Sequence, residues 1–388
     1  MKRIAIVGGG AAGFFLAVCL KERIADADVT IYESGRQVLR KVRVSGGGRC
    51  NVTNSFASVT DLAAVYPRGH RLMKRLLKSF SPSDAYAWWE AHGVRLVTQD
   101  DGCVFPQSQD AGEIIACLTH HARSMGVRVL TEHRITSLDQ LADYDAICIT
   151  TGSMTPDMVT MLSAAGIAVE PPVPSLFSLA TGDAALTAMA GLVVDATVRI
   201  PGTTFAASGA LLITHWGVSG PAALKLSSYA ARHLADNHYV APLTINWMQA
   251  NEDEVRAALT TIAATQPRKQ VTSTHPQQLS SRLWEHLAHK AMGDAASRRW
   301  ADVSRKDINR LVATLTADHY DITGRAAFRD EFVTCGGVSL SCINPTTLAC
   351  RTNDKIFFAG EALDIDGITG GFNFQCAWTT AHTVAMSV

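Results

Sequence analysis

The sequence predicts an α/β fold in which a Rossmann-like domain is built from both ends of the chain, with a region of different texture inserted between. Two observations carry that prediction. The chain opens with a strand, a glycine-rich turn, a helix and a second strand in unbroken order. Two more short apolar runs, at 145–152 and 355–360, each stop at glycine, one in the first half of the chain and one near its end.

Residues 2–7 are a β-branched run without alternation, the mark of a strand buried on both faces of a parallel sheet. Gly8-Gly9-Gly10-Ala11-Ala12-Gly13 follows directly, then a helical pattern over 14–24 and a second strand over 29–33 that ends at Glu33. Between 191 and 247 the residues alternate as in strands, at 193–200, 209–214 and 243–247, with turn signals between. From 251 to 320 the chain is rich in Ala, Leu, Glu and Arg and reads as helical. The expected division is therefore 1–190 with 331–388 as one domain and 191–330 as an insert, β over about 191–250 and helical over about 251–330. The Pro-rich 170–174 is the expected entry hinge and 331–335 the return.

A chain of 388 residues with 47% hydrophobic and 18% charged residues has ample core, which excludes disorder. Its 35 basic and 35 acidic residues cancel, so no global field gathers phosphate backbones or an anionic membrane; no nucleic-acid or membrane partner is expected. Nine cysteines, with no C-x-x-C pair and no histidine at zinc-ligand spacing, fit a reducing, cytoplasmic setting without metal. The first 20 residues imitate a secretory leader, but Gly8, Gly9, Gly10 and Gly13 would break its helix.

In G-x-G-x-x-G the first glycine permits a tight turn, the second lets backbone approach a pyrophosphate, and the third lets helix and strand pack closely. Gly8, Gly10 and Gly13 take these places, with Ala11 and Ala12 at the helix start where unpaired N–H groups favour an anion. Glu33 is placed to accept ribose hydroxyls, with Ser34 beside it, and a carboxylate there disfavours a 2′-phosphate. FAD or NAD is thus expected rather than NADP at this site. The stretch 40–54 (RKVRVSGGGRCNVTN) reads as a second cradle for one extended cofactor: Ser45, Gly46 and Gly47 offer backbone donors, Lys41 and Arg49 charge, and Asn51 an amide. An exposed, solvated turn is the alternative. At 360–378 (GEALDIDGITGGFNFQCAW), a glycine pair precedes an apolar helix and aims Gly371, Phe372 and Asn373 at a ligand. In a flavoprotein the target is the N1–C2=O edge of the ring. Asp366 or Asp364 stands where ribityl hydroxyls can be held, and Gly360, Glu361, Ile135, Thr151 and Gly152 complete the expected cofactor contacts.

Together, G-x-G-x-x-G at 8–13, SGGGRCNVTN at 45–54, FPQS at 105–108, THWGVSGP at 214–221, and the GE and GGFNFQ of 360–375 resemble the BaiN/RdsA-type family of NAD(P)/FAD-dependent oxidoreductases over nearly the whole chain. The resemblance implies an FAD-binding domain of the two-dinucleotide-binding type made from both chain ends, with an inserted β-barrel and small helical bundle. It also implies chemistry that varies among members, between reduction of conjugated C=C bonds and oxidation of amines or amino acids. This chain departs at 150–153, TTGS where relatives carry ATGG, and in a short helical insert.

Flavin chemistry needs substrate held near N5 rather than an obligatory side chain. His215 is the candidate proton donor or acceptor, against a structural histidine, and Gln107 and Ser108 are candidate substrate contacts. Cys50 reads as a buried, inert thiol rather than a redox one. The expected activity is hydride transfer through FAD to a small or medium organic molecule, with NAD(P)H as possible donor. An amine oxidase, or a flavin- or NAD-binding sensor or RNA-associated protein without turnover, are the alternatives.

Overall fold

A computed structural model describes residues 1–326 and 333–388, and the chain divides into two units, Met1–Pro174 with Phe332–Val388, and Ser175–Glu331. In the first unit a five-stranded parallel sheet runs in the order Ile356–Phe358, Ala146–Ile149, Arg3–Val7, Asp28–Tyr32, Arg128–Leu130. The central strands are apolar throughout because helices cover both faces: Ile4, Ile6, Cys148, Ile149 and Phe358 are fully buried. Helix Ala11–Arg23 packs against the C-terminal helix Phe372–Ser387, and both bury most of their residues. The C-terminal strand lies at one edge, beside Ala146–Ile149, so the sheet does draw on both ends of the chain. Strand Arg128–Leu130 at the other edge is exposed and carries no alternation, which is why sequence pattern passes over it.

In the second unit, six strands among the described residues close an antiparallel barrel: Val193–Arg199, Ala206–Thr214, Gly217–Ser219, Leu179–Thr181, Asp318–Arg325 and Ala241–Asn246, in that order around it. Alternation in Val193–Arg199 buries Val194, Ala196 and Val198. Helices Glu252–Thr265, Ser281–Met292 and Arg305–Thr316 form the small bundle, around Leu259, Trp284, Leu287 and Leu311.

Two expected boundaries move. The first unit ends at Pro174 rather than 190, because Leu179–Thr181 pairs with two barrel strands. The helical part ends at Thr316 rather than 330, because Asp318–Arg325 returns to the barrel between Ala241–Asn246 and Leu179–Thr181. The Pro-rich hinge is instead a strand, Val169–Ser175, paired among the described residues with Val333–Val338 alone. A strand with one neighbour tolerates proline because half its N–H groups need no ladder partner. Positions 331 and 332 of the expected return lie outside the described residues. Among the described residues no helix is long and apolar enough to cross a membrane.

Candidate functional site

The glycines at the end of the first strand do three different things. Gly8 has φ +118°, and a Cβ there would lie 2.5 Å from the Thr150 carbonyl oxygen. At Gly13 a Cβ would lie 2.0 Å from the Gly8 carbonyl oxygen, so helix and strand pack too closely for any side chain. Gly10 has φ −91°, and a Cβ would meet nothing within 4 Å. Nothing in the protein demands glycine at Gly10; the clear space beside it is a cradle that a side chain would fill. Helix Ala11–Arg23 begins there with neither a side-chain cap nor an acidic residue in its first turn, leaving the Ala11, Ala12 and Gly13 N–H groups for an anion.

Glu33 faces the same turn. Its Oε2 accepts from the Gly9 N–H at 2.9 Å and its Oε1 from the Gly35 N–H at 2.7 Å, with the Ser34 hydroxyl at 3.4 Å. Oε2, with a single donor, keeps lone-pair capacity for a hydroxyl. The loop that carries Ile135 is laid alongside by two backbone bonds, Glu132 N–H to Gly35 O at 3.0 Å and His133 N–H to Glu33 O at 2.8 Å.

The second cradle is a short helix, Arg40–Val44, running into a tight turn, Ser45–Gly48, in which Gly46, Gly47 and Gly48 have φ of 56°, 69° and 86°. Only glycine takes three consecutive left-handed positions cheaply. Beside Gly47 and Gly48 the space is open, as at Gly10. Arg49 is exposed but held in place: its Nε donates to the Gly46 carbonyl at 3.1 Å, its Nη1 to Gln109 Oε1 at 3.3 Å, and its guanidinium lies 4.3 Å over the Phe105 ring. The Ser45 hydroxyl turns back to the Val42 carbonyl at 2.8 Å. Asn51 accepts from the Val104 N–H at 3.3 Å and stands against Gly371.

Gly371 caps the C-terminal helix at φ +90°, where a Cβ would lie 2.2 Å from the Thr53 carbonyl oxygen. The helix start has no side-chain cap and is clamped from three sides: Tyr66 OH donates to the Phe372 carbonyl at 2.8 Å, Thr53 OH to Gln375 Oε1 at 2.5 Å, and Trp378 Nε1 to the Val52 carbonyl at 2.8 Å. Gly360 sits between Ala12 and Ala377, so the last strand, the first helix and the last helix meet at one point. Next to it, Glu361 accepts from Lys41 Nζ at 2.8 and 3.0 Å, Ser153 OH at 3.1 Å and Thr334 N–H at 2.8 Å, and lies 3.6 Å from where a Gly152 Cβ would be. Thr151 follows Thr150, whose hydroxyl donates to the Gly8 carbonyl at 3.0 Å.

Three expected roles change. Asp366 is fully buried and spent on Arg68, which reaches it with both Nε and Nη2; it is a structural anchor, and Glu361 is the carboxylate at the strand ends. The Asn373 side chain closes on its own loop, accepting from the Gly367 N–H and donating to the Gly367 carbonyl, each at 2.8 Å, so only its backbone belongs to the open helix start. Gln107 and Ser108 are exposed, the latter bonded to Glu113; the residue of that stretch that meets the cradle is Gln109, in left-handed backbone. His215 is in the other unit, exposed on the two-residue turn joining Ala206–Thr214 to Gly217–Ser219. Arg68, Ser153, Thr334 and Gln109 escape sequence reasoning because their partners are distant in sequence, Arg68 lying 298 positions from Asp366.

Two uncapped helix starts, open ground at Gly10, Gly47 and Gly48, and a poised Glu33 on one unit fit an extended dinucleotide carrying a pyrophosphate, a ribose and a ring. The pattern defining the HI0933-like protein Rossmann domain matches residues 2–387. The chain belongs to the HI0933-like family. This is an FAD-binding family of oxidoreductases, and the protein is an FAD-dependent enzyme. The chain is 27% identical to the ribosomal RNA dihydrouridine synthase of Haemophilus influenzae, over 99% of this chain and 97% of that protein. It is 26% identical to the 3-dehydro-bile acid delta(4,6)-reductase of Clostridium scindens, over 98% of each. Among solved structures, 3-ketosteroid delta1-dehydrogenase from Sterolibacterium denitrificans shares the fold, with a TM-score of 0.50 and 11% identity over 100% of this chain and 99% of that one.

Cys50 stands inside the second cradle yet is fully buried, and burial pushes its thiol up to about 12. Below that pH it stays protonated and a poor nucleophile. Iodoacetamide at pH 7.5 should therefore leave Cys50 unmodified in the native protein and label it once urea unfolds the chain, as peptide mass mapping reads directly. Rapid native labelling would restore a redox role.

Proposed function

We propose that the protein reduces a carbon–carbon double bond conjugated to a carbonyl, with electrons from NAD(P)H, in a reducing, cytoplasmic compartment. The observation that carries this reading is the start of the C-terminal helix, uncapped at Gly371 and clamped by Tyr66, Thr53 and Trp378. Fixed N–H donors at a helix start favour negative charge and need no reorganisation when it develops. Bound FAD supplies hydride transfer at its N5. Gly10 and the helix start Ala11–Gly13 would hold its pyrophosphate, Glu33 its ribose, the Gly46–Gly48 turn and Glu361 the middle of the molecule, and the Gly371 helix start its ring. The balanced reaction consumes NAD(P)H and one proton, and the C=C bond becomes C–C with two new C–H bonds.

The relatives support this reading from two directions. Dihydrouridine differs from uridine by two hydrogens across a double bond conjugated to C4=O, and a 3-dehydro delta(4,6) steroid carries the same arrangement. The reacting part of the substrate is thus a small unsaturated ring beside a carbonyl. The test is anaerobic reduction of the purified yellow protein. NADH or NADPH should bleach the flavin, and a 3-oxo-delta(4) steroid or a uridine oligonucleotide should restore the colour while gaining two hydrogens by mass. Bleaching by an amine, with peroxide on admitting air, would instead identify an oxidase.

A further inference from the structure

Four polar residues from segments far apart in the chain meet at the ends of the parallel strands. Lys41 comes from the short helix Arg40–Val44, Ser153 from the loop after strand Ala146–Ile149, Thr334 from strand Val333–Val338, and Glu361 from the residues after strand Ile356–Phe358. The Ser153 hydroxyl is bonded to each of the other three. It accepts from Lys41 Nζ and from the Thr334 hydroxyl, both at 2.8 Å, and donates to Glu361 Oε1 at 3.1 Å. That uses its one proton and both of its lone pairs.

Among the described residues, the two oxygens of Glu361 are not filled equally. Oε1 accepts from Ser153, from Lys41 at 3.0 Å and from the Thr334 N–H at 2.8 Å. Oε2 accepts from Lys41 alone, at 2.8 Å, and is the oxygen that faces Gly152, 3.6 Å from where a Cβ would be. Gly152, at φ +73°, brings no side chain to cover it. The carboxylate is thus turned with its filled oxygen on Ser153 and Thr334 and its open oxygen on the glycine side. Lys41 cannot hold this arrangement by itself, because its side chain is half exposed and a lone ion pair on a long, flexible lysine gains little in water. Ser153 gives the ammonium a further acceptor and Oε1 a further donor, so neither partner can turn without breaking a bond to the hydroxyl.

We propose that Ser153 is a positioning residue for bound FAD: it fixes the Glu361 carboxylate so that Oε2 is ready for a hydroxyl of the cofactor's ribityl chain. The inference rests on the placing of Glu361 at the middle of the cofactor, made above, and is independent of the substrate. An acceptor fixed before binding gives its hydrogen bond without a further loss of rotamer freedom, so the effect falls on retention of FAD.

The test follows release of FAD from the loaded protein on dilution, read by the rise in flavin fluorescence, in the native protein, Ser153→Ala, Glu361→Ala and the double variant. Alanine at 153 removes the hydroxyl and leaves the Thr334 N–H on Oε1. Ser153→Ala should release FAD about tenfold faster, the scale of one hydrogen bond to a charged group. Glu361→Ala should release it at least as fast, and adding Ser153→Ala to it should bring no further change, because the group that Ser153 fixes is then gone. A residue that merely supports the fold would quicken release by the same factor in both backgrounds, and that result would overturn the positioning role. So would a native rate in Ser153→Ala beside fast release from Glu361→Ala, which leaves Glu361 at the cofactor. A native rate in Glu361→Ala would remove Glu361 from the cofactor and the inference with it.

Discussion

Gly10→Val should yield a folded protein that purifies without FAD, whereas Gly13→Val should not fold. The two glycines belong to one turn, and a Cβ meets nothing within 4 Å at Gly10 but lies 2.0 Å from the Gly8 carbonyl oxygen at Gly13. Backbone at Gly10, φ −91° and ψ −166°, is extended and open to valine. The branched side chain would then fill the ground a pyrophosphate needs and hold it off the helix start, where the N–H groups and the dipole favour it. Loss of most bound flavin is expected, at unchanged far-UV circular dichroism. At Gly13 neither the helix nor the strand can retreat, since both are buried against the rest of the sheet. A Gly10→Val protein with full flavin absorbance at 450 nm would move the phosphate site elsewhere.

Arg68→Ala should cost about 3 to 5 kcal/mol of stability, because it leaves the fully buried Asp366 carboxylate without its cation. The consequence reaches the site, since Asp366 sits in the loop that precedes the helix start at Gly371 and Asn373 ties that loop to Gly367. Urea denaturation of the flavin-free proteins should show the lower midpoint, and FAD release should begin before global unfolding in the loaded variant. The pair Arg68→Met with Asp366→Leu separates two effects. It should recover much of the loss if an orphaned charge is the cause, since apolar residues of similar volume replace buried pairs at little cost. A loss below about 1 kcal/mol in Arg68→Ala would place the pair among solvated ones.

Sequence spacing alone locates the glycine turn that leaves open ground at Gly10. Gly8, Gly10 and Gly13 are close in the chain, and their roles depend on local backbone geometry that neighbours impose on one another. The same holds for the Gly46–Gly48 turn and for Glu33, which reaches Gly9 and Gly35 across a single strand–turn–helix–strand unit. Burial of strands Arg3–Val7, Ala146–Ile149 and Ile356–Phe358 follows from their unbroken apolar runs. The β part of the insert is also legible, since alternation is a property of each strand by itself.

What only the tertiary structure decided is which partner each polar side chain meets. Asp366 and Glu361 are equivalent as letters after a strand-end glycine, yet one is locked to Arg68 inside the protein and the other faces Lys41, Ser153 and Thr334. Gln109 rather than Gln107 reaches Arg49 because a left-handed residue turns the chain there. The domain boundary depends on Leu179–Thr181 finding barrel strands far along the chain. The division has a physical cause. Backbone conformation and periodic burial are set by residues a few positions apart, so they can be read along the chain. Pairings across hundreds of positions are selected by the packing of the whole core, and a single sequence carries no mark of which of several chemically suitable partners that packing brings within reach.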